Sequence, residues 1–277
     1  FLNGFPIIPE DLDIADIPAE LLYDLNQDLW RESVPDSPLI DALAPISVLR
    51  KEYENSSHFM SQIDHLSKEG YGRIRRARGD GDCFYRSLAY AFVDGLLRAP
   101  NRAVAAENAI SSLKSTMASD QLKMAELFEG SGYDEWLENF TELIEKVTKV
   151  DDDRSNELLV LEFFQTPEHS NSTVAYLRFL TSAYIQNSGD SNLIQSMSME
   201  PGQFCKQFVE PLGTYADDFQ ISALSGAMDI SINIAYMDGH KPEVNFILKR
   251  PERSEPLLLL FRPGHYDVLV KDSPQVY

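Results

Sequence analysis

Cys83 lies where a glycine-rich loop runs into a helical pattern. Residues 79–83 read GDGDC, and a stripe of apolar side chains at helical spacing follows: Phe84, Leu88, Ala91 and Phe92. A helix that begins at Cys83 points its first amide groups at the sulfur, which favours the thiolate and hence nucleophilic attack. The amides of the loop can also hold an oxyanion. Because a cysteine at a helix start is more often a small buried hydrophobe, this pattern alone leaves both interpretations open.

A histidine and an aspartate near the end of the chain could complete such a site. His265 follows a Pro-Gly turn, and Asp267 lies two residues further along an alternating pattern that predicts a strand. Side chains at i and i+2 of a strand share a face, so the carboxylate can bind the ring nitrogen that faces away from substrate. A His-x-Asp spacing often arises by chance. Together with Cys83, however, it gives the papain-like order of nucleophile first and base later.

Cys205, the other cysteine, lacks these features. It lies between Phe204 and Phe208 in an apolar helical stripe without a glycine loop, which predicts a role in core packing. Two cysteines exclude a disulfide framework and fit a reducing compartment, so we expect a cytoplasmic protein, with the nucleus as a second location. No zinc-ligand spacing occurs among these cysteines and the five histidines.

The sequence is strongly acidic. Its 24 basic and 44 acidic side chains give a formal net charge of −20, which would repel phosphate backbones and argues against nucleic acid as a partner. The charge suits a basic protein or peptide partner, and a purely solubilising role explains it equally well. The longest apolar run, residues 257–261, is too short to cross a membrane, so no membrane association is expected.

Proline content divides the chain of 277 residues into two parts. Residues 1–44 are rich in acidic side chains and in proline, which predicts an N-terminal arm with at most a short helix near residues 20–30. Residues 45–277 have globular patterning and suffice for a sizeable core.

Helical patterns come first in the globular part and strands crowd its end. Helices are predicted over residues 48–65, from Cys83 onward, from Asp134 onward, from a cap at Asn171 or Ser172, and over 203–210 and 217–228. Strands are predicted over residues 232–236, 257–261 and 265–270. This order predicts an α/β or α+β domain in which a helical wing accompanies a compact sheet.

Several stretches of the sequence resemble one peptidase family. The stretch DGDCFYR at residues 80–86 resembles the nucleophile motif of the ovarian-tumour (OTU) deubiquitinases, and RPGHYD at 262–267 resembles the histidine motif of the otubain branch. Further otubain-like stretches follow the family's order: PISVL at 45–49 with EY at 52–53, YLRFLTS at 176–182, FCKQ at 204–207, VEP at 209–211 and YMD at 236–238. The resemblance covers residues 34–271 and implies the papain-like OTU fold, a small central mixed sheet flanked by helical subdomains.

The resemblance implies a role for each matching residue. Cys83 becomes the nucleophile, His265 the general base and acid, and Asp267 the residue that orients the ring. Asp80, Gly81 and Asp82 form the oxyanion loop, in which we expect the backbone of Asp80 to matter more than its carboxylate. Otubains usually have Asn at the position of Asp82, a change that is nearly silent if the side chain points outward.

One further residue and the partners follow from the same resemblance. Tyr266 is a candidate for substrate contact. The implied reaction is hydrolysis of the bond between the C-terminal glycine of ubiquitin and a lysine through a cysteine thioester, without a metal or organic cofactor. The implied partners are ubiquitin and polyubiquitin chains, bound by a monomer.

Two other functions stay open at this point. The chain could be a non-catalytic binder that restrains a ubiquitin-conjugating enzyme, although an intact Cys83, His265 and Asp267 favour catalysis. A cysteine hydrolase of small amides fits the resemblance less well. The arm at residues 1–44 either packs on the catalytic domain or grips a second ubiquitin or a conjugating enzyme.

Overall fold

A six-stranded mixed sheet forms the centre of the computed structural model, which describes residues 37–149, 152–187, 199–250 and 255–272. The strands are Ala44–Pro45 (β1), Arg73–Arg75 (β2), Ile232–Tyr236 (β3), Asn245–Lys249 (β4), Leu257–Arg262 (β5) and His265–Val270 (β6). Their order is β1-β2-β6-β5-β3-β4, with β3 and β5 parallel and the other pairs antiparallel. The predicted central mixed sheet is confirmed, and its two middle strands are β5 and β6.

Helices make up most of the remaining described chain. They are Ser57–Lys68 (α1), Cys83–Arg98 (α2), Arg102–Met117 (α3), Met124–Leu127 (α4), Tyr133–Lys149 (α5), Asp153–Gln165 (α6), Pro167–Asn187 (α7), Pro201–Phe208 (α8) and Asp218–Met228 (α9). A 3₁₀ helix at Ile46–Lys51 precedes α1. Among the described helices, none has a stretch that is both long and apolar enough to cross a bilayer.

Helix α2 is the central helix of the domain and begins at Cys83, as predicted. The helix is buried on more than the one side that the stripe predicted. Ten of the eleven positions 83–93 are buried, all except Phe92: Cys83, Phe84, Tyr85, Arg86, Ser87, Leu88, Ala89, Tyr90, Ala91 and Val93. The helix is covered on several sides, since it packs against β5 and β6 and also against α6 and α7. This burial fixes the position of the first turn, where Cys83 lies.

Strand β6 carries the second half of the predicted site. It pairs with β5 across a tight turn at Pro263 and Gly264, with Arg262 opposite His265 and Leu260 opposite Asp267. Gly264 has φ of +72°, a left-handed conformation that glycine adopts without a steric penalty. On its other side β6 pairs with β2. Strands on both sides therefore hold the backbone of β6 in place.

Several element boundaries differ from the predictions. The pattern at 48–65 is divided into the 3₁₀ helix and α1, because Ser56 is extended. Helix α7 begins at Pro167, earlier than the predicted cap at Asn171 or Ser172, since proline fits the first turn of a helix. Helix α9 follows the prediction and is preceded by Asp217, whose side chain and that of Gln220 form a capping box.

The end of the predicted arm is part of the packed domain. Leu39 and Ile40 are 4% and 0% exposed, and Ile40 forms a β-bridge with Ala77. Arg78 donates a backbone hydrogen bond to the carbonyl of Leu39. The packed domain thus extends before the predicted boundary at residue 45. Residues 1–36, including the helix expected near 20–30, lie outside the described residues.

Candidate active site

The loop before Cys83 is pressed closely against a second loop. Gly81 has φ of +82°, and a Cβ atom placed on it would lie 1.9 Å from the carbonyl oxygen of Gly213. Any other residue at position 81 would therefore force the two backbones apart. Cys83 itself is a free thiol with an exposed fraction of only 2%. The nucleophile candidate is thus buried, rather than partly exposed at the surface.

His265 connects Cys83 to Asp267, as the spacing on the strand predicts. Its Nε2 lies 2.8 Å from Oδ1 of Asp267, and the Cys83 thiol is near enough to the ring to act on its charge. Burial of the ring disfavours its charged form, but the hydrogen bond and charge of Asp267, and then those of Cys83, raise the pKa of His265 to about 10. The site therefore favours an imidazolium next to the sulfur.

Asp267 is fully buried and has three hydrogen-bond partners. Its Oδ1 also accepts from the backbone N–H of Ala77 at 2.9 Å, and its Oδ2 accepts from Nε of Arg262 at 2.8 Å. Burial alone would raise the pKa of Asp267, yet its contacts with His265, Arg262 and Ala77 hold that pKa below its usual value. The carboxylate is therefore fixed and ionised, as the orienting group of a catalytic triad must be.

Arg262 is a site residue to which the sequence analysis gave no role. Its exposed fraction is 7%, and beyond Asp267 it donates to Oε2 of Glu52 at 2.9 Å. Glu52 in turn accepts from Arg76 at 2.6 Å. Both Arg262 and Glu52 lie in stretches that resemble otubains, but sequence spacing cannot reveal that two residues 210 positions apart are in contact. Arg262 and Glu52 thus extend the hydrogen-bond network of the triad from Asp267 to Arg76.

The carboxylate of Asp80 organises the oxyanion loop. Its Oδ1 and Oδ2 lie 2.9 and 2.8 Å from Nη1 of Arg86, and Oδ1 also accepts from the N–H of Asp82 at 3.0 Å. The expectation that the backbone of Asp80 matters more than its carboxylate stays a prediction, although these contacts give the carboxylate a structural role. Because the N–H of Asp82 is already bound, the amides of Gly81 and Cys83 are the remaining candidates in this loop for binding an oxyanion.

Asp82 does not point outward. It is 6% exposed, and its Oδ1 lies 2.6 Å from Nη2 of the fully buried Arg178. The expectation of a nearly silent departure from the family rested on an exposed side chain and is corrected by this contact. Arg178 lies between Leu177 and Phe179, and a charged residue between apolar ones in a helix was the sequence signal that could have indicated a buried arginine.

Tyr266 is buried, contrary to the expectation that it contacts substrate. It is 2% exposed, and its ring packs against Phe84, Phe261 and Tyr215 at centroid distances of 5.5, 5.3 and 6.0 Å. Tyr215 is 38% exposed and is the accessible member of this aromatic group. Tyr266 thus packs beneath the site, and Tyr215 is the tyrosine of this group that is exposed to solvent.

Cys205 has the core role predicted for it. Its side chain is fully buried with Ile185, Val209 and Ala223. Burial raises the pKa of its thiol to about 12, so it stays protonated at neutral pH. Within the described ranges, no group of three or more His, Cys, Asp or Glu side chains is arranged to hold a metal ion.

Comparison with known proteins agrees with this geometry. The family model described as Peptidase C65 Otubain matches residues 32–271. Ubiquitin thioesterase OTUB1 of Homo sapiens is 33% identical over 249 residues, which cover 88% of this chain and 87% of that protein. Ubiquitin thioesterase OTUB2 of Homo sapiens is 32% identical over 227 residues, which cover 81% of this chain and 91% of that protein.

Solved structures show the same fold. The complex of h/ceOTUB1 with ubiquitin aldehyde and UBC13~Ub contains a chain that superimposes with a TM-score of 0.76 at 29% identity, covering 91% of this chain and 98% of that one. The corresponding complex with UBCH5B~Ub gives a TM-score of 0.75 at 28% identity. Because the family match spans most of the sequence and both relatives exceed 30% identity, this chain belongs to the otubain family of peptidases.

Proposed function

We propose that this otubain releases ubiquitin from lysine side chains with Cys83 as its nucleophile. Deubiquitination by a cysteine peptidase follows from the family and from relatives that are named ubiquitin thioesterases. The observation that supports the assignment of residues is the series Cys83, His265 and Asp267, in which Nε2 of His265 is hydrogen-bonded to Asp267 and the Cys83 thiol helps to raise the pKa of the ring. In the part of the chain that the structure describes, Cys205 belongs to no such series, and its sulfur lies 3.8 Å from the backbone carbonyl oxygen of Ser182.

The reaction proceeds as two acyl transfers. The Cys83 thiolate attacks the carbonyl carbon of the C-terminal glycine of ubiquitin, and the amides of Gly81 and Cys83 hold the oxyanion. The imidazolium of His265 then gives its proton to the departing lysine amine, which leaves a thioester on Cys83. Neutral His265 next takes a proton from water, whose oxygen attacks the thioester and releases ubiquitin. Asp267 keeps the ring oriented in both steps.

The charge of the protein suits this substrate. The tail and the binding face of ubiquitin carry arginine and lysine, and the chain has a formal net charge of −20. Complementary charge accelerates the encounter of two proteins and is weakened by salt. We therefore expect KM for ubiquitin substrates to rise with ionic strength.

A second proposal is that the chain binds a ubiquitin-conjugating enzyme. The solved h/ceOTUB1 complexes contain UBC13~Ub and UBCH5B~Ub, and in each complex the match to one chain covers 91% of this chain. Binding and cleavage do not exclude one another. Retention of UBC13 charged with ubiquitin on the immobilised Cys83→Ala variant tests this proposal, and absence of retention contradicts it.

The residue assignment is tested by paired cysteine substitutions. Ubiquitin that carries a fluorescent leaving group is the substrate, and Cys205→Ala is the matched control because it removes an equally buried thiol outside the series. Cys83→Ala should abolish hydrolysis. Cys205→Ala should retain it and lose about 1 kcal/mol of stability to a small cavity. Loss of hydrolysis in Cys205→Ala alone would overturn the assignment.

The monomeric state and the cytoplasmic location stay predictions. We propose both because two free thiols suit a reducing compartment and because the catalytic series lies within one chain. Light scattering of the purified chain and microscopy of a tagged version test them.

A further inference from the structure

One buried arginine ties the nucleophile loop to a second loop. Arg178 on α7 is 0% exposed. Its Nε and Nη2 donate to Oδ1 of Asp82 at 3.0 and 2.6 Å, and Nη2 also donates to the carbonyl of Gly81 at 3.2 Å. The same guanidinium reaches the carbonyls of Val209 and Thr214 at 2.9 and 2.6 Å. It therefore connects the residues just before Cys83 to the segment that follows α8.

Asp82 completes this connection with a single oxygen. Besides the two bonds from Arg178, its Oδ1 accepts the backbone N–H of Gly213 at 2.9 Å. An aspartate directly before a helix usually caps the helix, yet the Asp82 side chain makes no capping hydrogen bond to α2. Its Oδ1 instead faces Arg178 and Gly213, and its Oδ2 lies 4.0 Å from Nη2 of Arg86 on α2.

The backbones joined by this pair are already in contact. Gly81 leaves no room for a side chain beside Gly213, so a small movement of either loop displaces the other. The guanidinium carbon of Arg178 lies over the ring of Tyr85, 4.4 Å from its centroid, and this cation–π contact holds the guanidinium further. The opposite charge of Arg178 also offsets the carboxylate of Asp82, which lies next to the thiol in sequence.

We propose that Asp82 and Arg178 are positioning residues that hold Cys83 and the Gly81 amide in register for attack, through the shared Oδ1 of Asp82. The pair does not touch the reacting atoms. It fixes the loop whose amides must meet the oxyanion, and a displacement of about 1 Å in such a site costs on the order of 100-fold in rate. The inference rests on the proposed role of Cys83 and adds residues that the triad does not include.

Asp82→Asn and Asp82→Ala separate the positioning oxygen from the charge. Asparagine keeps an Oδ1 that can accept from both Arg178 and Gly213, whereas alanine removes it. We expect kcat to fall about 100-fold in Asp82→Ala with KM changed less than about threefold, and Asp82→Asn to recover most of the loss. Arg178→Lys, which retains the charge but not the planar fork, should resemble Asp82→Ala. These variants are measured on ubiquitin with a fluorescent leaving group.

Active-site titration distinguishes positioning from folding. Each variant is titrated with ubiquitin bearing a C-terminal electrophile, and kcat is expressed per titrated site, so that unfolded molecules do not count. Glu157→Gln is the matched control, because Arg75 is also a buried arginine, 3% exposed, over a tyrosine ring and paired with that carboxylate. It should keep kcat per site.

The result can contradict the inference without contradicting the proposed function. Wild type that titrates at Cys83, together with an Asp82→Ala variant whose kcat per site is within about threefold of wild type, would overturn the positioning role. An Asp82→Asn variant as slow as Asp82→Ala would overturn the role of the shared oxygen. Wild type that fails to titrate at Cys83 would instead overturn the proposed function.

Discussion

Replacing Asp267 by asparagine tests the ionic part of the candidate triad. The carboxylate accepts hydrogen bonds from His265, Ala77 and Arg262 at 2.8–2.9 Å. An amide has only one acceptor oxygen. If that oxygen faces His265 and Ala77, the amide nitrogen faces Arg262, and if it faces Arg262, the nitrogen faces Ala77. In both orientations a donor meets a donor in a fully buried position.

The size of the effect follows from what the substitution removes. The imidazolium of His265 loses the contact that contributes most to raising its pKa, while burial continues to disfavour the charged ring. The same change in a serine-protease triad lowers kcat about 10⁴-fold, so we expect a loss of about 10³–10⁴, or about 4–5.5 kcal/mol of transition-state stabilisation. The buried donor pair and the weakened Arg262 contact should cost about 1–3 kcal/mol of stability.

Three measurements separate these effects. They are kcat and KM on ubiquitin with a fluorescent leaving group, the Kd for ubiquitin in a Cys83→Ala background, and Tm. Because Asp267 is 0% exposed, the Kd should change less than about twofold. Asp238→Asn, the same chemical change at a carboxylate that accepts from Gln62 and His240, serves as the control. A fall in kcat of less than about tenfold in Asp267→Asn would refute its role in the triad.

The other predictions concern Arg262, pH and the arm. Arg262→Gln should lower kcat about 10-fold, because Asp267 loses a charged partner, and should leave the Kd for ubiquitin unchanged; an unaltered kcat would remove Arg262 from the site. The pKa of His265 is raised from its ordinary 6.5 to about 10, so the acid form that protonates the amine is lost as pH rises through about 10. The alkaline limb of kcat/KM should lie there and move to lower pH in Asp267→Asn. The contribution of the His265 ring to the free energy of unfolding should be complete below pH 6.5 and should be lost as the pH rises from 6.5 to about 10. An alkaline limb of kcat/KM near neutral pH in wild type would contradict this account. Deletion of residues 1–31, which precede the family match, should raise KM for di-ubiquitin without affecting ubiquitin with a small leaving group if the arm grips a second ubiquitin. Equal losses on both substrates with a lower Tm would assign the arm a structural role.

The sequence predicted those parts of the site that depend on local spacing. A glycine loop before an apolar helical stripe is sufficient to place Cys83 at the start of α2. The alternation after the Pro-Gly turn is sufficient to place His265 and Asp267 on one face of β6. In both cases the geometry of one element determines the result, so a few consecutive residues carry the information.

The contacts that support the triad could not be predicted in this way. Asp82 and Arg178 are 96 positions apart, and Arg262 and Glu52 are 210 apart. Which of several aspartates faces which arginine depends on how α2, α7 and the sheet pack. For this reason the sequence could not show whether Asp82 points outward, the condition for a nearly silent departure from the family.

Strands β1, β2 and β4 were also missed, and for β2 and β4 the physical reason is clear. Strand β2 has three residues with a single apolar side chain, Ile74, and pairing with β6 rather than its own pattern makes it a strand. Strand β4 lies at the edge of the sheet, where Ile247 and Leu248 are both exposed, so it lacks the alternation of a half-buried strand.

Identification of the cysteine that reacts with the tail of ubiquitin tests the central claim most directly. The intact chain is incubated with ubiquitin that carries a C-terminal electrophile, and the adduct is located by peptide mass spectrometry. Reaction through the series Cys83, His265 and Asp267 predicts one adduct, on Cys83, that is absent from Cys83→Ala and unaffected by Cys205→Ala. An adduct on Cys205, or an unmodified Cys83 in the folded wild-type protein, would contradict the account.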